Sequence, residues 1–146
     1  MLINKKQKPG VGIGVIIVNG DGKILILKRK GNHAPYYSIP GGRLESGETF
    51  EEGAIREIKE ETSLDIKNPK VISVTNNLET YKNEKLHFIS IILFTERFSG
   101  SLKIMEPEKH EEILWVDPKN LPTPHFDASQ RGVICYLENK FYKKFE

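Results

Sequence analysis

Three glutamates, Glu57, Glu60 and Glu61, stand at i, i+3 and i+4. On an α-helix that spacing projects all three from one face. Carboxylates set side by side repel one another unless water or a cation screens them. Hard oxygen donors of this kind suit Mg²⁺, which keeps several waters and bridges to phosphate oxygens. The plain alternative is a solvated charged face, with Arg56 pairing to Glu52 and Glu60 at i±4. Ile55 and Ile58 fall on the opposite, core-facing side. Gly53, one turn before Glu57, leaves room on the acidic face for a metal and a phosphate.

These residues need a helix to align them, and the sequence predicts one from Thr49 to Glu61. Thr49 with Glu52 forms a capping-box pattern that satisfies free amides at the helix start. Upstream, the β-branched run Val11 to Val18 and the apolar run Lys23 to Leu27 flank Asn19-Gly20-Asp21-Gly22, which reads as a β-hairpin. Gly31 to Pro40 is a loop with two tyrosines that leads into Gly41-Gly42. Further strands are expected over Lys70 to Thr75, Leu86 to Phe94 and Glu112 to Val116. A second helix begins near Asp127 and carries Val133, Ile134, Leu137 and Phe141 as a core stripe. Strands, helix, strands, helix in that order predict an α/β or α+β fold with a mixed sheet between helices.

The acidic run belongs to a longer pattern. Gly42 is followed after five residues by Glu48, then after seven by Arg56-Glu57-Ile58-Lys59-Glu60-Glu61, and Leu64 closes it. This resembles the Nudix box, G-x5-E-x7-R-E-U-x-E-E-x-G-U with U aliphatic. Every specified position matches except Ser63, where the family usually has Gly in a left-handed conformation. Ser there costs about 1 kcal/mol of backbone strain.

The resemblance covers nearly the whole chain and implies a single domain, 1–146, with a Nudix-like α/β/α sandwich around a central mixed sheet. It implies that the Gly41 carbonyl and the carboxylates of Glu57, Glu60 and Glu61 bind Mg²⁺, with Mn²⁺ as a substitute. Arg56 and Glu48 would orient those ligands. Family members often add a later carboxylate. Glu111 is the choice here, with Glu108 second. The implied reaction is hydrolysis of a phosphoanhydride bond by a metal-activated water, with a carboxylate accepting its proton. Glu57 and Glu111 both remain open for that role.

For substrate, the chain is most similar to the MutT-like branch acting on nucleoside triphosphates, through Lys8 to Gly14, Lys28 to Gly31, and Glu106 to Glu111 ahead of Trp115. The products would be a nucleoside monophosphate and pyrophosphate. The alternatives are a pyrophosphatase for ADP-ribose, a nucleotide sugar or a related compound, and an inactive nucleotide sensor. The presence of every box carboxylate argues against the sensor. Gly10, Gly12 and Gly14 are not a dinucleotide fingerprint, because no strand, turn and helix surround them. Lys28, Arg29 and Lys30 end a strand near the box and could meet phosphate oxygens, although strand alternation sends Arg29 to the side opposite its neighbours. Candidates for a base slot are Tyr36, Tyr37, Trp115, Phe126 and Asp127, the last serving either a base edge or as a helix cap. His33, His110 and His125 are read as surface or hydrogen-bonding residues without a metal role.

Bulk properties fit this picture. The chain has 146 residues, 38% of them hydrophobic and 29% charged, which suits one globular domain. A formal net charge of +2 implies no strongly basic nucleic-acid surface. Cys135 stands alone, so no intramolecular disulfide forms. Met1 to Gly10 carries Lys5, Lys6 and Lys8 with no following apolar run, and no stretch approaches the ~20 apolar residues of a bilayer span. A cytoplasmic monomer or homodimer that binds a small nucleotide, with no stable nucleic-acid or membrane partner, is expected.

Overall fold

The β-branched run folds as β1 (Gly10–Ile17), and strand alternation divides its side chains between two apolar clusters. In the computed structural model, which describes residues 7–145, Ile13, Val15 and Ile17 pack with Ala54 and Ile58. On the other side, Ile16 packs with Ile24, Ile26, Ile92 and Val133. Lys5 and Lys6 lie outside the described residues.

The remaining elements are β2 (Ile24–Arg29), β3 (Tyr37–Ser38), β4 (Gly41–Arg43), α1 (Phe50–Thr62), β5 (Asp65–Lys67), β6 (Lys70–Asn76), α2 (Leu78–Glu84), β7 (Phe88–Thr95), β8 (Arg97–Ser99), β9 (His110–Val116) and α3 (Asp127–Glu138). The main sheet runs β4-β1-β7-β6 and is mixed, because β1 and β7 are parallel and the other pairs antiparallel. A second sheet, β3-β2-β9, is antiparallel, and β5 pairs with β8. Helix α1 covers one face of the main sheet and α3 the other, so the expected mixed sheet between helices is present. No helix among the described residues is long and apolar enough to cross a membrane.

The predicted hairpin is corrected. The turn forms as expected: Asn19 Oδ1 accepts the amides of Asp21 and Lys23, both at 3.0 Å. The strands then part into different sheets and keep only the isolated bridge Val18–Ile24. Each strand is apolar on both faces, with Ile24 to Leu27 all buried, so each needs cover on both sides.

Helix α1 starts as predicted. Thr49 Oγ1 accepts the Glu52 amide and Glu52 Oε2 accepts the Thr49 amide, each at 3.0 Å. It ends at Ser63, left-handed with φ 69°, whose amide donates to Lys59. The buried stripe passes through Ala54, Ile58, Glu61 and Thr62, which leaves Ile55 41% exposed rather than in the core. Glu61 therefore lies on the apolar stripe, not opposite it.

The predicted stripe of α3 is also corrected. Ala128, Ser129, Gly132, Val133 and Cys135 are buried, whereas Leu137 and Phe141 are 41% and 59% exposed. Small residues make this contact. A Cβ on Gly132 would already come within 3.1 Å of Ile92, and a search for large apolar side chains overlooks such a face.

Candidate active site

The box begins where β4 meets β1. A Cβ on Gly41 would run into the Ile13 carbonyl, and one on Gly42 into the Glu57 carboxylate, so both positions depend on a missing side chain. The Gly41 amide donates to Glu61 Oε1 at 2.7 Å. Glu61 is only 5% exposed, and burial pushes its carboxyl up to about 8 despite that hydrogen bond. Its Oε2 lies 3.2 Å from His110 Nε2. His110 is 3% exposed, with its pKa lowered by burial and by the Arg29 charge. Both shifts are driven mainly by burial, and each disfavours the charged form of its group. His110 Nδ1 has no hydrogen-bond partner.

Glu106 completes this group: one ligand atom each from Glu61, Glu106 and His110 lie within 4.8 Å of one another. The segment before β9 brings it there by running along the end of α1. Lys103 and Met105 donate their amides to the carbonyls of Thr62 and Glu61 at 3.0 and 3.3 Å, and the His110 amide closes a turn on the Glu106 carbonyl at 3.0 Å.

Arg56 ties the rest of the acidic face together. It donates to Glu48 at 2.6 and 3.0 Å, to Glu57 Oε1 at 2.8 Å and to the Arg43 carbonyl at 3.0 Å. Glu60 is more distant at 3.4 Å and has a 54% exposed side chain. The guanidinium holds Glu48 down to about 2, with help from the Glu45 amide. Burial raises Glu57 although Arg56 opposes it. Two expectations change here. Glu52 is taken up by the capping box and is not an Arg56 partner. Gly53 makes room for Glu48 and Leu44, whose atoms would lie 3.1 and 3.3 Å from a Cβ, rather than for an ion.

Glu111 does not join the group. Residues 110 and 112 pair with Arg29 and Lys28, so Glu111 is the extra residue of a β-bulge. It points to Lys28, 3.1 Å away, with its side chain 44% exposed. Glu108 is exposed as well. Glu106 and His110 were missed because their position depends on how the segment before β9 folds back. The available signal was a lone imidazole opening an apolar strand.

A cavity of about 230 Å³ adjoins this group, floored by Gly12, Gly14, Ser90 and Ile92, with Arg29, Arg43, Glu61, His110, Asn77 and Phe126 also in its lining. Of the predicted substrate residues, Arg29 and Phe126 reach it. Lys28 turns instead to Glu111 and to the Tyr37 ring, 5.5 Å from its centroid, so neither Lys28 nor Tyr37 lines the cavity. Asp127 neither caps α3 nor stands free for a base. Its carboxylate accepts the Thr80 hydroxyl at 2.6 Å and the Thr80 amide at 3.3 Å. Trp115 stacks on Phe98 with centroids 5.6 Å apart in the α1-side core. Tyr36 borders a second hollow of about 320 Å³, which shares Thr80 and Phe126 with the first and adds Glu79, Glu84 and Asp127.

Buried carboxyls, a partnerless ring nitrogen and a glycine-lined approach fit a divalent cation, and the adjoining cavity fits an organic ligand beside it. The class this defines is a metal-carboxylate site carried by a loop-helix-loop on a mixed α/β/α fold. Residues 8–137 match the family model described as NUDIX domain, so the chain belongs to the Nudix family of hydrolases. It is 39% identical over 114 residues to an ADP-ribose pyrophosphatase of Methanocaldococcus jannaschii, a match covering 76% of this chain and 64% of that protein. The chain thus spans less than two thirds of that relative's length. A putative 8-oxo-dGTP diphosphatase of Bacillus subtilis is 33% identical over 111 residues, covering 76% of this chain and 68% of the relative. Among solved structures, a MutT NUDIX hydrolase from Burkholderia pseudomallei superposes with a TM-score of 0.79 and 29% identity, over 88% of this chain and 98% of that one.

Proposed function

We propose that the chain hydrolyses a phosphoanhydride bond of a nucleoside triphosphate, with bound Mg²⁺ or Mn²⁺, to a nucleoside monophosphate and pyrophosphate. The observation that carries this reading is the convergence of Glu61, Glu106 and His110 beside a cavity that also presents Arg29 and Arg43. Glu57, Glu60, Glu61 and Glu106 would hold the cation, together with the Gly41 carbonyl. When bound, the cation neutralises phosphate charge and acidifies a water. Arg56 and Glu48 keep Glu57 in place. Arg29, whose Nε donates to the Asn32 carbonyl at 3.2 Å, makes no other side-chain hydrogen bond among the described residues and would turn its remaining guanidinium donors to phosphate oxygens. Glu57, half-buried with a raised pKa, is the carboxylate suited to accept a proton from water. The apolar floor over Gly12 and Gly14 suits a flat base.

A second reading, hydrolysis of ADP-ribose or a nucleotide sugar, is favoured by the second hollow. Its lining holds Glu79, Glu84 paired to His33, and Asp127 bonded to Thr80, with no lysine or arginine to meet a terminal phosphate. A substrate panel separates the two. Pyrophosphate release from at least one triphosphate is expected. Two monophosphates from ADP-ribose with no pyrophosphate from any triphosphate would move the assignment to the second reading. A cytoplasmic location and a monomeric or homodimeric state belong to this proposal too. The first agrees with the free, buried Cys135.

A further inference from the structure

His110 is a costly residue for packing alone. It is 3% exposed, Nδ1 meets no hydrogen-bond partner among the described residues, and Nε2 approaches Glu61 at 3.2 Å. An apolar ring would fill the same space without burying unsatisfied nitrogen. Its neighbours in space are the carboxylates of Glu61 and Glu106, all within 4.8 Å. Donors on one ion at about 2.0–2.2 Å lie about 3 Å apart when adjacent and about 4.4 Å when opposite, and the 3.2 Å between Glu61 Oε2 and His110 Nε2 already meets the adjacent spacing.

We infer that His110 is a nitrogen ligand in this cluster, and that with Glu61 and Glu106 it makes a mixed nitrogen-oxygen site preferring a first-row transition dication such as Mn²⁺ over Mg²⁺. The inference rests on reading the cluster as the metal site and adds a ligand and a metal class to it. Imidazole strengthens binding to Mn²⁺, Co²⁺ and Zn²⁺, whereas Mg²⁺ favours oxygen and gains little from it. All-carboxylate ligation by the exposed face of α1 would carry no such bias.

The test loads the full chain with Mn²⁺ alone and looks by pulsed electron paramagnetic resonance for hyperfine coupling to a directly bound ¹⁴N. Coupling is expected in the parent protein and absent in His110→Gln. Protein labelled with ¹⁵N-histidine should exchange that signal for ¹⁵N, which preserves the test if the variant fails to fold. Mn²⁺ affinity should fall at least about tenfold in His110→Gln, while Mg²⁺ affinity changes less than about twofold. Bound Mn²⁺ without nitrogen coupling, or equal losses for both ions, would overturn the inference. A protein that shows the coupling but hydrolyses no phosphoanhydride would sink the proposed reaction and leave the ligand assignment intact.

Discussion

Glu61 has the most to lose from the absence of a cation. Its carboxyl is raised from 4.5 to about 8, mainly by burial, so the ion-free protein holds it protonated at neutral pH. A cation needs the carboxylate. Mg²⁺ or Mn²⁺ affinity is therefore expected to climb with pH, by up to tenfold per unit, and to level off above about 8. Isothermal titration in two buffers of different ionisation enthalpy should count the proton released below that point. The same shift has a stability consequence. A pKa raised on folding contributes stability below 4.5 that is lost as pH rises through about 8. Glu61→Gln should accordingly melt above the parent at pH 8.5 without metal and below it with saturating Mn²⁺. Its hydrolytic rate should fall at least ~10²-fold. Ser63, in contrast, bears on the backbone alone. With φ at 69°, Ser63→Gly is expected to stabilise the fold by about 1 kcal/mol, a rise in Tm of roughly 2–4 °C, without changing the metal affinity.

The joint between β4 and α1 is where secondary structure becomes a site. Gly42 lies against the Glu57 carboxylate, so Gly42→Ala should displace that group and cut turnover by about 10²-fold while circular dichroism stays unchanged. Thr49→Ala removes one half of the capping box and should cost about 1 kcal/mol in chemical denaturation. Elements whose signal is local were legible in the sequence: α1 with its capping box, the Asn19 turn, and the strands near β6, β7 and β9. Box spacing likewise marked Arg56, Glu48 and Glu57, which meet in one hydrogen-bonded set where the loop enters α1. What was not legible depends on distant partners. The separation of β1 from β2 follows from burial on both faces, and the α3 contact follows from small residues against Ile92. A single bulged residue turns Glu111 outward, while the loop along α1 delivers Glu106. No pattern along the chain announces either event.

At the scale of the molecule, two stretches distant in sequence supply the cluster: the end of α1, and the run from Glu106 into the start of β9. An ion held by both cross-links α1 to β9. Cation at about a hundred times its dissociation constant is expected to add ~2.7 kcal/mol, or roughly 5–10 °C in Tm, by differential scanning fluorimetry. Strand β1 adds a different property. Ile13, Val15 and Ile17 face the α1 core, while Gly12 and Gly14 face the cavity, where an added Cβ would come within about 3 Å of Ser90, Ile39 and Ile92. The strand is in effect a partition wall that carries load on both sides and houses a tenant on one. A methyl group added at Gly14 shrinks the room available to a ligand and at the same time presses on Ile39 and Ile92 of the second core. Ligand size and fold stability are thus coupled through Ile39 and Ile92, which serve both the cavity and the second core.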